Sequence, residues 1–364
     1  MVLETVVILA AGEGTRMKSS TPKVLHSIAG RTLVGHVLHA VQPLQPKNLR
    51  VVVGAGREEV EAHIADVAPH AVTIFQEKRG GTGHATQLAL ADLKPSGTIL
   101  VLAGDTPMLT GDSLSKLLQH HQSGGFTASV MTAEHPDPTG YGRIVRAEDG
   151  SLLRIVEERD ADDVVRGIFE VNSGVYAFDA AKLAGAIGKL QSNNSQGELY
   201  LTDVIEILRS EGGSIAAVLI EDFMEILGVN DRVQLAESAA LLRDRINEDW
   251  MRAGVSIVDP LNTWIDATAE IAQDVVVLPG SAISGSTKIE SGAVIGPRAT
   301  LLDCTVGARS QVFESRCQEA VIGEDAVVGP FTYLRPGTKL LAQTKVGAFV
   351  EMKNATLGNG SKVP

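Results

Sequence analysis

The sequence contains little cysteine and no long apolar run. Its two cysteines, Cys304 and Cys317, are spaced as neither a zinc knuckle nor a redox pair, so a metal-organised or disulfide-stapled fold is not expected. No apolar run approaches the ~20 residues of a membrane helix, and the N-terminal segment has no basic region of the kind that opens a signal peptide. These absences predict a cytoplasmic protein without a membrane partner.

Positive charge is also scarce. The chain has 32 Lys and Arg residues against 44 Asp and Glu residues, which gives a formal net charge of -12. Binding of nucleic acid without sequence preference depends on a basic surface. We therefore expect no nucleic-acid partner, and any phosphate binding must come from a local group of residues.

The first third of the chain alternates between strand-like and helix-like segments. The length of 364 residues predicts two or three domains. Runs rich in β-branched and other apolar residues stand at 4–10, 49–53, 72–75, 98–102 and 127–131. Amphipathic stretches such as 57–66 and 83–92 separate them. This order predicts a doubly wound, Rossmann-like α/β sheet with parallel strands.

The pattern changes after residue 140. Residues 140–220 are mixed, with a hairpin predicted at Asp149-Gly150 and a helix at 199–209, and we interpret them as an added lobe that faces a sugar. An apolar stripe with helical spacing then runs through Leu235, Ala239, Leu242, Ile246 and Trp250. The predicted domains are therefore 1–230, a linker helix at 231–254, and 255–364.

Aliphatic residues recur every six positions in the last domain. Two series share this interval: Ile271, Val277, Ile283, Ile289, Ile295 and Leu301, then Ile322, Val328, Leu334, Leu340, Val346 and Met352. A period of six predicts a parallel β-helix whose coils have three sides, each directing one aliphatic residue to the axis. The ten-residue step from Val312 to Ile322 predicts a loop at 314–319 that projects from one coil. An antiparallel sandwich would show a period of two instead.

A glycine-rich turn follows the first predicted strand and suggests phosphate binding. The stretch 9–17 has the sequence LAAGEGTRM, which lacks the third glycine of a dinucleotide fingerprint, and the chain contains no P-loop motif. Backbone N–H groups in such a turn can approach an anion closely. Arg16 and Lys23 suit a triphosphate whose leaving group gains charge. Alternatively, both are ordinary surface charges.

Asp105 ends a buried strand in the stretch LVLAGDTP at 100–107. Open α/β sheets bind their ligands at the carboxyl ends of strands. A single carboxylate there suits Mg²⁺, which takes its remaining ligands from water and substrate phosphates. The alternative is a helix cap, but Asp105 precedes the expected helix by several residues, and Asp112 and Ser113 already supply a cap.

Motifs distributed over essentially the whole chain resemble those of one bacterial family. They are LAAGEGTRM at 9–17, TPK at 21–23, Gln76 with GTGHA at 81–85, GDTP at 104–107, GYGR at 140–143, IVEE at 155–158, EVNSG at 170–174, GVN at 228–230, LRPG at 334–337 and FVEMK at 349–353. In this order and spacing they resemble the bifunctional N-acetylglucosamine-1-phosphate uridylyltransferases and glucosamine-1-phosphate acetyltransferases. The resemblance implies a glycosyltransferase-A-like nucleotidyltransferase domain followed by a left-handed β-helix of hexapeptide repeats.

The resemblance also implies roles for individual residues. It implies that the uridine is held by Leu9, Ala10, Ala11, Gly12, Gln76, Gly81 and Thr82. It implies that the amino sugar is held by Gly140, Glu157, Asn172 and Asn230. Asp105 and Asn230 would share the Mg²⁺, and Arg16 and Lys23 would carry the phosphates, so Arg16, Lys23 and Asp105 are the implied catalytic residues.

One position departs from part of the family. Ala103 stands where some members have an aromatic residue that rests against the sugar, so sugar affinity is expected to differ. The backbone role of this segment is expected to survive, because Gly104 and Asp105 are present.

The implied reaction joins UTP and N-acetylglucosamine 1-phosphate. Its products are UDP-N-acetylglucosamine, a precursor for peptidoglycan and lipopolysaccharide synthesis, and pyrophosphate. The resemblance also implies a homotrimer.

The second implied activity concerns the β-helix. Arg335 and Lys353 match positions that bind glucosamine 1-phosphate in the family. The sequence ends at Pro364, before the position of the general-base histidine and the coils that complete the acetyl-CoA site. We therefore expect acetyl-CoA to be used only by a complete acetyltransferase domain, and no acetyl transfer by this shortened chain.

Two other functions compete with this interpretation. A glucose-1-phosphate nucleotidyltransferase would share the glycine-rich turn and Asp105, and it differs in the set Gly140, Glu157 and Asn172, which suits an acetamido sugar. A non-catalytic scaffold with a nucleotidyltransferase-like domain can dispense with Arg16, Lys23 and Asp105. Because all three are present, the sequence favours an enzyme.

Overall fold

The computed structural model describes residues 3–364, which form two compact units. The first unit comprises the chain up to His26 together with Thr32–Leu235. The second comprises Ser27–Arg31 and Ala236–Pro364. The assignment of separate activities to these parts stays a prediction.

A nine-stranded sheet forms the centre of the first unit. Its strands, numbered along the chain, are β1 Leu3–Ala10, β2 Asn48–Val53, β3 Val72–Phe75, β4 Thr98–Ala103, β5 Ala128–Glu134, β6 Arg143–Arg146, β7 Leu152–Val156, β8 Glu170–Asp179 and β9 Ile215–Leu219. The order across the sheet is β9-β5-β8-β4-β1-β2-β3, with β6 paired to β8 and to β7. The predicted doubly wound α/β class is confirmed.

The interpretation of residues 140–220 as an added lobe is wrong in part. The predicted hairpin exists as β6 and β7, which pair antiparallel. However, β8 from the same stretch lies inside the main sheet, antiparallel to both β4 and β5, and β9 extends that sheet beside β5. An isolated strand cannot satisfy its backbone N–H and C=O groups, and insertion into the sheet pairs them on both sides.

Helices lie between these strands along the chain, and a long helix follows the last strand. They are α1 Leu33–Val41, α2 Arg57–Val67, α3 Gly81–Leu90, α4 Gly111–Gly124, α5 Asp163–Arg166, α6 Ala180–Ile187, α7 Asp203–Ser210 and α8 Arg232–Arg252. Short 3-10 turns cover Thr15–Met17, Lys23–Leu25, Gln42–Leu44, Glu158–Asp160, Phe223–Ile226 and Pro260–Asn262. Ser27–Ile28 and Arg31–Thr32 form a two-stranded ribbon. No helix among residues 3–364 has both the length and the apolar character needed to cross a membrane.

Two local predictions about helix starts are corrected. The helix expected at 199–209 begins at Asp203, because residues before it bond elsewhere: Gly83 N–H donates to Leu199 O at 2.8 Å and Leu199 N–H donates to Gly80 O at 2.7 Å. The cap of α4 is Thr110, whose Oγ1 accepts from Ser113 N–H at 3.2 Å, and not Asp112 with Ser113. Asp105 makes no cap, as predicted.

The central strands are buried on both faces. Val6 and Ile8 of β1 belong to one apolar cluster, and Val7 belongs to the cluster on the opposite face. Successive side chains of a strand point to opposite faces. A strand covered by helices on both sides therefore appears in the sequence as a continuous aliphatic run, as in the VVIL stretch at 6–9.

The sheet order positions the site. Leu9 of β1 lies opposite Ala103 of β4 on one side and Val52 of β2 on the other. The chain leaves β1 towards β2 and later returns to β4 on the other side of β1. Such a reversal leaves a crevice at the carboxyl ends of the strands. The glycine-rich turn after β1 and Asp105 after β4 meet there.

The second unit consists of three parallel sheets, one for each side of a coil. The first contains Ser256–Ile257, Val276–Val277, Val294–Ile295, Gln311–Val312, Val327–Val328, Lys345–Val346 and Lys362–Val363. The second contains Trp264–Ile265, Ala282–Ser284, Thr300–Leu302, Arg316–Gln318, Tyr333–Leu334 and Glu351–Met352. The third contains Glu270–Ile271, Lys288–Ile289, Thr305–Val306, Val321–Ile322, Lys339–Leu340 and Thr356–Leu357. These sheets agree with the predicted left-handed parallel β-helix.

The projecting loop expected at 314–319 does not exist. Arg316–Gln318 is a strand that pairs with Thr300–Leu302 and with Tyr333–Leu334, and Cys317 is fully buried in the core. Two shortened sides, from Val312 to Cys317 and from Cys317 to Ile322, account for the ten-residue step. A buried thiol behaves as a small apolar group and takes the axial position of an aliphatic residue here.

Candidate active site

A cleft of about 370 Å³ opens at the carboxyl ends of β1 and β4. Twelve of the predicted site residues line it: Leu9, Ala10, Ala11, Gly12, Lys23, Gln76, Gly81, Thr82, Ala103, Asp105, Glu157 and Asn172. Four others of the first unit do not line it, namely Arg16, Gly104, Gly140 and Asn230. Residues from six separate segments of the chain therefore share one concave site, the usual form of a small-molecule pocket.

Lys23 and Asp105, which line the cleft, form a polar centre together with Asn230 beside it. The Lys23 ammonium donates to Asp105 Oδ2 and, at 3.1 Å, to Asn230 Oδ1. The side chains of Lys23 and Asp105 are only 11% and 20% exposed. A carboxylate oxygen and an amide oxygen therefore converge on one point, which the positively charged ammonium of Lys23 occupies.

The local backbone explains this convergence. Gly14 has φ +63°, and a Cβ there would lie 2.5 Å from Lys23 Cβ, so the glycine-rich turn can close over Lys23 only with glycine at this position. Val229 N–H donates to Asp105 O at 2.9 Å, which joins the Asn230 segment to the end of β4. Asn230 N–H in turn donates to Gln234 Oε1 at 2.8 Å.

Arg16 does not line the cleft. It is exposed on the single 3-10 turn Thr15–Met17, and Met17 O of that turn accepts from Arg232 Nε at 3.2 Å. Arg79, which lines the cleft, forms an ion pair with Glu13 of the glycine-rich turn. Three guanidinium groups therefore lie at this turn: Arg16 belongs to it, Arg79 pairs with Glu13, and Arg232 donates to Met17 O. Of these, only Arg79 lines the cleft.

Gln76 follows β3 and is buried, with 6% exposure. Its backbone N–H donates to Val53 O at 2.8 Å, which extends the pairing of β3 with β2. The amide Nε2 donates to Gly81 O at 3.1 Å and lies 3.1 Å from His84 Nδ1. Gly81 has φ +91°, and a Cβ there would lie 2.5 Å from Leu199 O, so a side chain at this position would displace the segment that borders the cleft.

Asn172 occupies a bulge in β8. The pairing of β8 with β5 shifts register between Asn172 and Tyr176, as happens where a strand must redirect a side chain. Asn172 Nδ2 donates to Tyr176 Oη at 2.7 Å, and its Oδ1 accepts from Gly174 N–H at 3.2 Å. Burial raises the pKa of the Tyr176 phenol well above its usual value, so this hydroxyl stays protonated.

Glu157 directly follows β7 and lines the cleft. Its Oε1 accepts from Thr202 Oγ1 at 3.1 Å. Burial raises the pKa of Glu157, the Thr202 hydrogen bond opposes this, and the charges of Asp203 and Asp160 raise the pKa further. Its neighbour Glu158 forms an ion pair with Arg143 and accepts from Gly140 N–H at 3.1 Å. The two adjacent carboxylates therefore contact different groups.

The raised pKa of Glu157 predicts how a substitution at this residue changes the thermal stability of the chain at different pH values. Because the folded-state pKa lies above the unfolded-state value, this group stabilises the folded chain below the unfolded-state pKa, and that contribution is lost as the pH rises through the folded-state pKa. Glu157→Gln is expected to raise Tm by about 2 °C at pH 8 and not at pH 5. If Glu157 binds the sugar, as the family resemblance implies, the KM for the sugar phosphate is expected to rise about tenfold.

Thermal melts at both pH values and steady-state kinetics measure these effects. Glu134→Gln, at the exposed end of β5, is the matched control and should change neither quantity. If the Glu157→Gln variant had a lower Tm than the native chain at pH 8, the ionised carboxylate of Glu157 would not destabilise the folded chain, and the prediction would be wrong.

Several lining residues were not predicted from the sequence. They are Val24, Arg79, Ala85, Gly174, Tyr176, Glu198, Leu201 and Thr202. Thr202 had a usable signal, since Thr before Asp203 is typical of a helix start. Tyr176 had none, because its role depends on the bulge that brings its hydroxyl to Asn172.

The chain is similar to known proteins over nearly its whole length. Residues 6–173 match the MobA-like NTP transferase domain. Curated relatives named bifunctional protein GlmU match nearly the whole chain. That of Streptomyces avermitilis is 51% identical over 362 residues, 99% of this chain and 75% of the relative. Those of Mycolicibacterium vanbaalenii and Corynebacterium efficiens are each 52% identical, over 99% of this chain and 74% or 75% of the relative.

The chain belongs to the GlmU family. This membership, with the matched NTP transferase domain, confirms the family indicated by the motifs and the GlmU-type uridylyltransferase class of enzyme. It therefore decides against the non-catalytic scaffold. The roles of individual GlmU site residues in this chain stay predictions.

The second unit carries the other predicted GlmU substrate residues. Leu334 pairs with Met352 on neighbouring coils, so Arg335 and Lys353 occupy equivalent positions one coil apart. Arg335 Nη1 donates to Glu351 Oε1 at 2.7 Å, and Lys353 is exposed. The coil register thus brings two cations to one side of the β-helix.

Proposed function

We propose that this chain transfers UMP from UTP to N-acetylglucosamine 1-phosphate and so makes UDP-N-acetylglucosamine and pyrophosphate. The observation that carries the proposal is the convergence of Lys23, Asp105 and Asn230 at the mouth of the sheet. In a family of uridylyltransferases, such a centre suits the joining of two phosphate anions. The product serves peptidoglycan and lipopolysaccharide precursor synthesis.

The residues of the centre fit a magnesium ion. Asp105 and Asn230 supply hard oxygen donors aimed at one point, and a Cβ at Gly228 would lie 3.7 Å from Asn230 Nδ2 and 3.9 Å from Asp105 Oδ1. No cluster of three or more His, Cys, Asp or Glu side chains able to hold a metal occurs within residues 3–364. This sparse donor set is typical of Mg²⁺, which keeps waters and binds substrate phosphates. When bound, the ion would reduce the repulsion between the nucleotide and sugar phosphates.

The protein groups mainly position and neutralise. In the proposed step, an oxygen of the sugar phosphate forms a bond to the α-phosphorus of UTP, and the bond to the bridging oxygen of pyrophosphate breaks on the opposite side. No covalent enzyme intermediate is needed. Lys23 would bind phosphate oxygens, and Arg16 would stabilise the charge that develops on pyrophosphate.

The two ends of the cleft would hold the two substrates. Backbone groups of 9–12, with Gly81 and Thr82, would surround the uridine, and Gln76 would read the uracil edge. Glu157, Asn172 and Gly140 would bind the acetamido sugar, with Ala103 and Gly104 supplying backbone contacts. Ala103 leaves more room beside the sugar than an aromatic side chain would.

The proposal is tested by following pyrophosphate release. UTP with N-acetylglucosamine 1-phosphate and Mg²⁺ should give the fastest release, and omission of Mg²⁺ should abolish it. ATP and glucose 1-phosphate, each substituted singly, are the controls. Equal or faster turnover with glucose 1-phosphate would instead identify a glucose-1-phosphate nucleotidyltransferase.

The second unit supports two further proposals. Arg335 and Lys353 would bind the phosphate of glucosamine 1-phosphate, as their placement on neighbouring coils allows. We also expect a homotrimer, so light scattering coupled to gel filtration should give about three times the chain mass of 38.4 kDa. A mass of one chain at micromolar concentration would contradict the trimer.

A further inference from the structure

His84 contacts the buried side-chain amide of Gln76, which lines the cleft. It lies in the first turns of α3, and its Nδ1 is 3.1 Å from Gln76 Nε2. The same Nε2 is 3.1 Å from Gly81 O. A carbonyl oxygen and a ring nitrogen therefore lie within hydrogen-bond distance of the amide nitrogen of a side chain that is buried and lines the cleft.

The contact with Gly81 identifies which end of the amide is the NH₂ group. A backbone carbonyl can only accept a hydrogen bond, so the group of Gln76 beside Gly81 O must be the NH₂ group. This NH₂ group has two hydrogens. With one directed at Gly81 O, the other is directed at His84, so Nδ1 of the ring must accept and the ring proton must be on Nε2.

With both hydrogens used, Oε1 is the hydrogen-bonding atom of the Gln76 side chain that is left for a ligand. An acceptor at this point matches a base edge that carries N–H, as uracil does at N3. Cytosine has an unprotonated nitrogen at the same position, so two acceptors would face each other. A site with a buried, oriented polar group discriminates strongly against a ligand that cannot pair with it.

We propose that His84 is a positioning residue that sets base selectivity by holding the Gln76 amide in this orientation. The inference rests on the proposed function, in which Gln76 reads the uracil. Without an acceptor at position 84, the amide would be held by Gly81 O alone and could turn about its last torsion. The amide NH₂ would then reach the cleft in part of the molecules and pair with cytosine.

The experiment compares three variants in steady-state pyrophosphate release with UTP and with CTP. His84→Leu and His84→Ala remove the acceptor. His84→Asn keeps an acceptor oxygen close to the position of Nδ1. His70→Leu is the matched control, because His70 is an exposed histidine in the turn between α2 and β3.

In the Leu and Ala variants, we expect the KM for UTP to rise about tenfold, kcat to change less than about twofold, and the preference for UTP over CTP to fall about tenfold. The Asn variant should recover both quantities to within about threefold. A purely structural role of His84 would not predict rescue by asparagine or a change confined to KM and base preference. The Ala variant, which favours a helix, covers the case in which leucine impairs folding.

The outcomes separate this inference from the proposed function. If the native chain releases no pyrophosphate from UTP, the proposed function is wrong. If the native chain is active and prefers UTP, but folded His84→Leu and His84→Ala keep its KM and its UTP preference, His84 does not position Gln76 and the inference is overturned.

Discussion

Asp105→Asn is expected to lower kcat by about three orders of magnitude, with little change in the fold. The substitution keeps the shape of the side chain and removes its negative charge. In the structure, this carboxylate pairs with Lys23 and converges with Asn230 Oδ1. Its loss would leave a largely buried ammonium without its counter-ion and would remove the one anionic donor proposed for Mg²⁺.

Pyrophosphate release at saturating substrates and a Mg²⁺ titration measure this effect. Asp112→Asn, an exposed first-turn residue of α4, is the matched control and should keep the native rate. A Tm close to that of the native chain would show that the loss is not caused by unfolding. Native kcat in a folded Asp105→Asn variant would refute the proposed centre.

The second large effect is expected for Arg16→Ala, with a kcat lowered by about two orders of magnitude. Arg16 is exposed and does not line the cleft, so its loss should cost little stability. Its proposed partner is the charge on the departing pyrophosphate, which is greatest in the transition state. We therefore expect the KM for UTP to change much less than kcat.

Arg79 is the alternative candidate for the role assigned to Arg16. It lines the cleft and pairs with Glu13, so it is the rival cation for the same phosphates. Arg154→Ala, at an exposed position of β7, controls for the loss of a surface guanidinium. If Arg16→Ala retains the native kcat while Arg79→Ala loses it, the role assigned to Arg16 belongs to Arg79.

Periodic features of the fold were predictable because they depend on residues close in sequence. The buried strands around Val6 and Leu100 are continuous aliphatic runs, and the six-residue interval from Ile271 to Leu301 repeats the geometry of one coil side. Each pattern reports the local environment of its own segment. The predicted loop at 314–319 was wrong because a thiol, Cys317, takes the axial position of an aliphatic residue. The two coil sides next to it are shorter than six residues, so the six-residue interval is interrupted there.

The sequence alone determined that this chain has an α/β nucleotidyltransferase domain and a β-helix, and the motifs identified its family and most of the residues that line the cleft. The tertiary structure alone decided how those residues meet. Lys23 and Asn230 are 207 positions apart, and Glu157 and Thr202 are 45 positions apart. Their contacts arise from the order of strands across the sheet and the bulge in β8, which depend on packing between distant segments and leave no periodic signal along the chain.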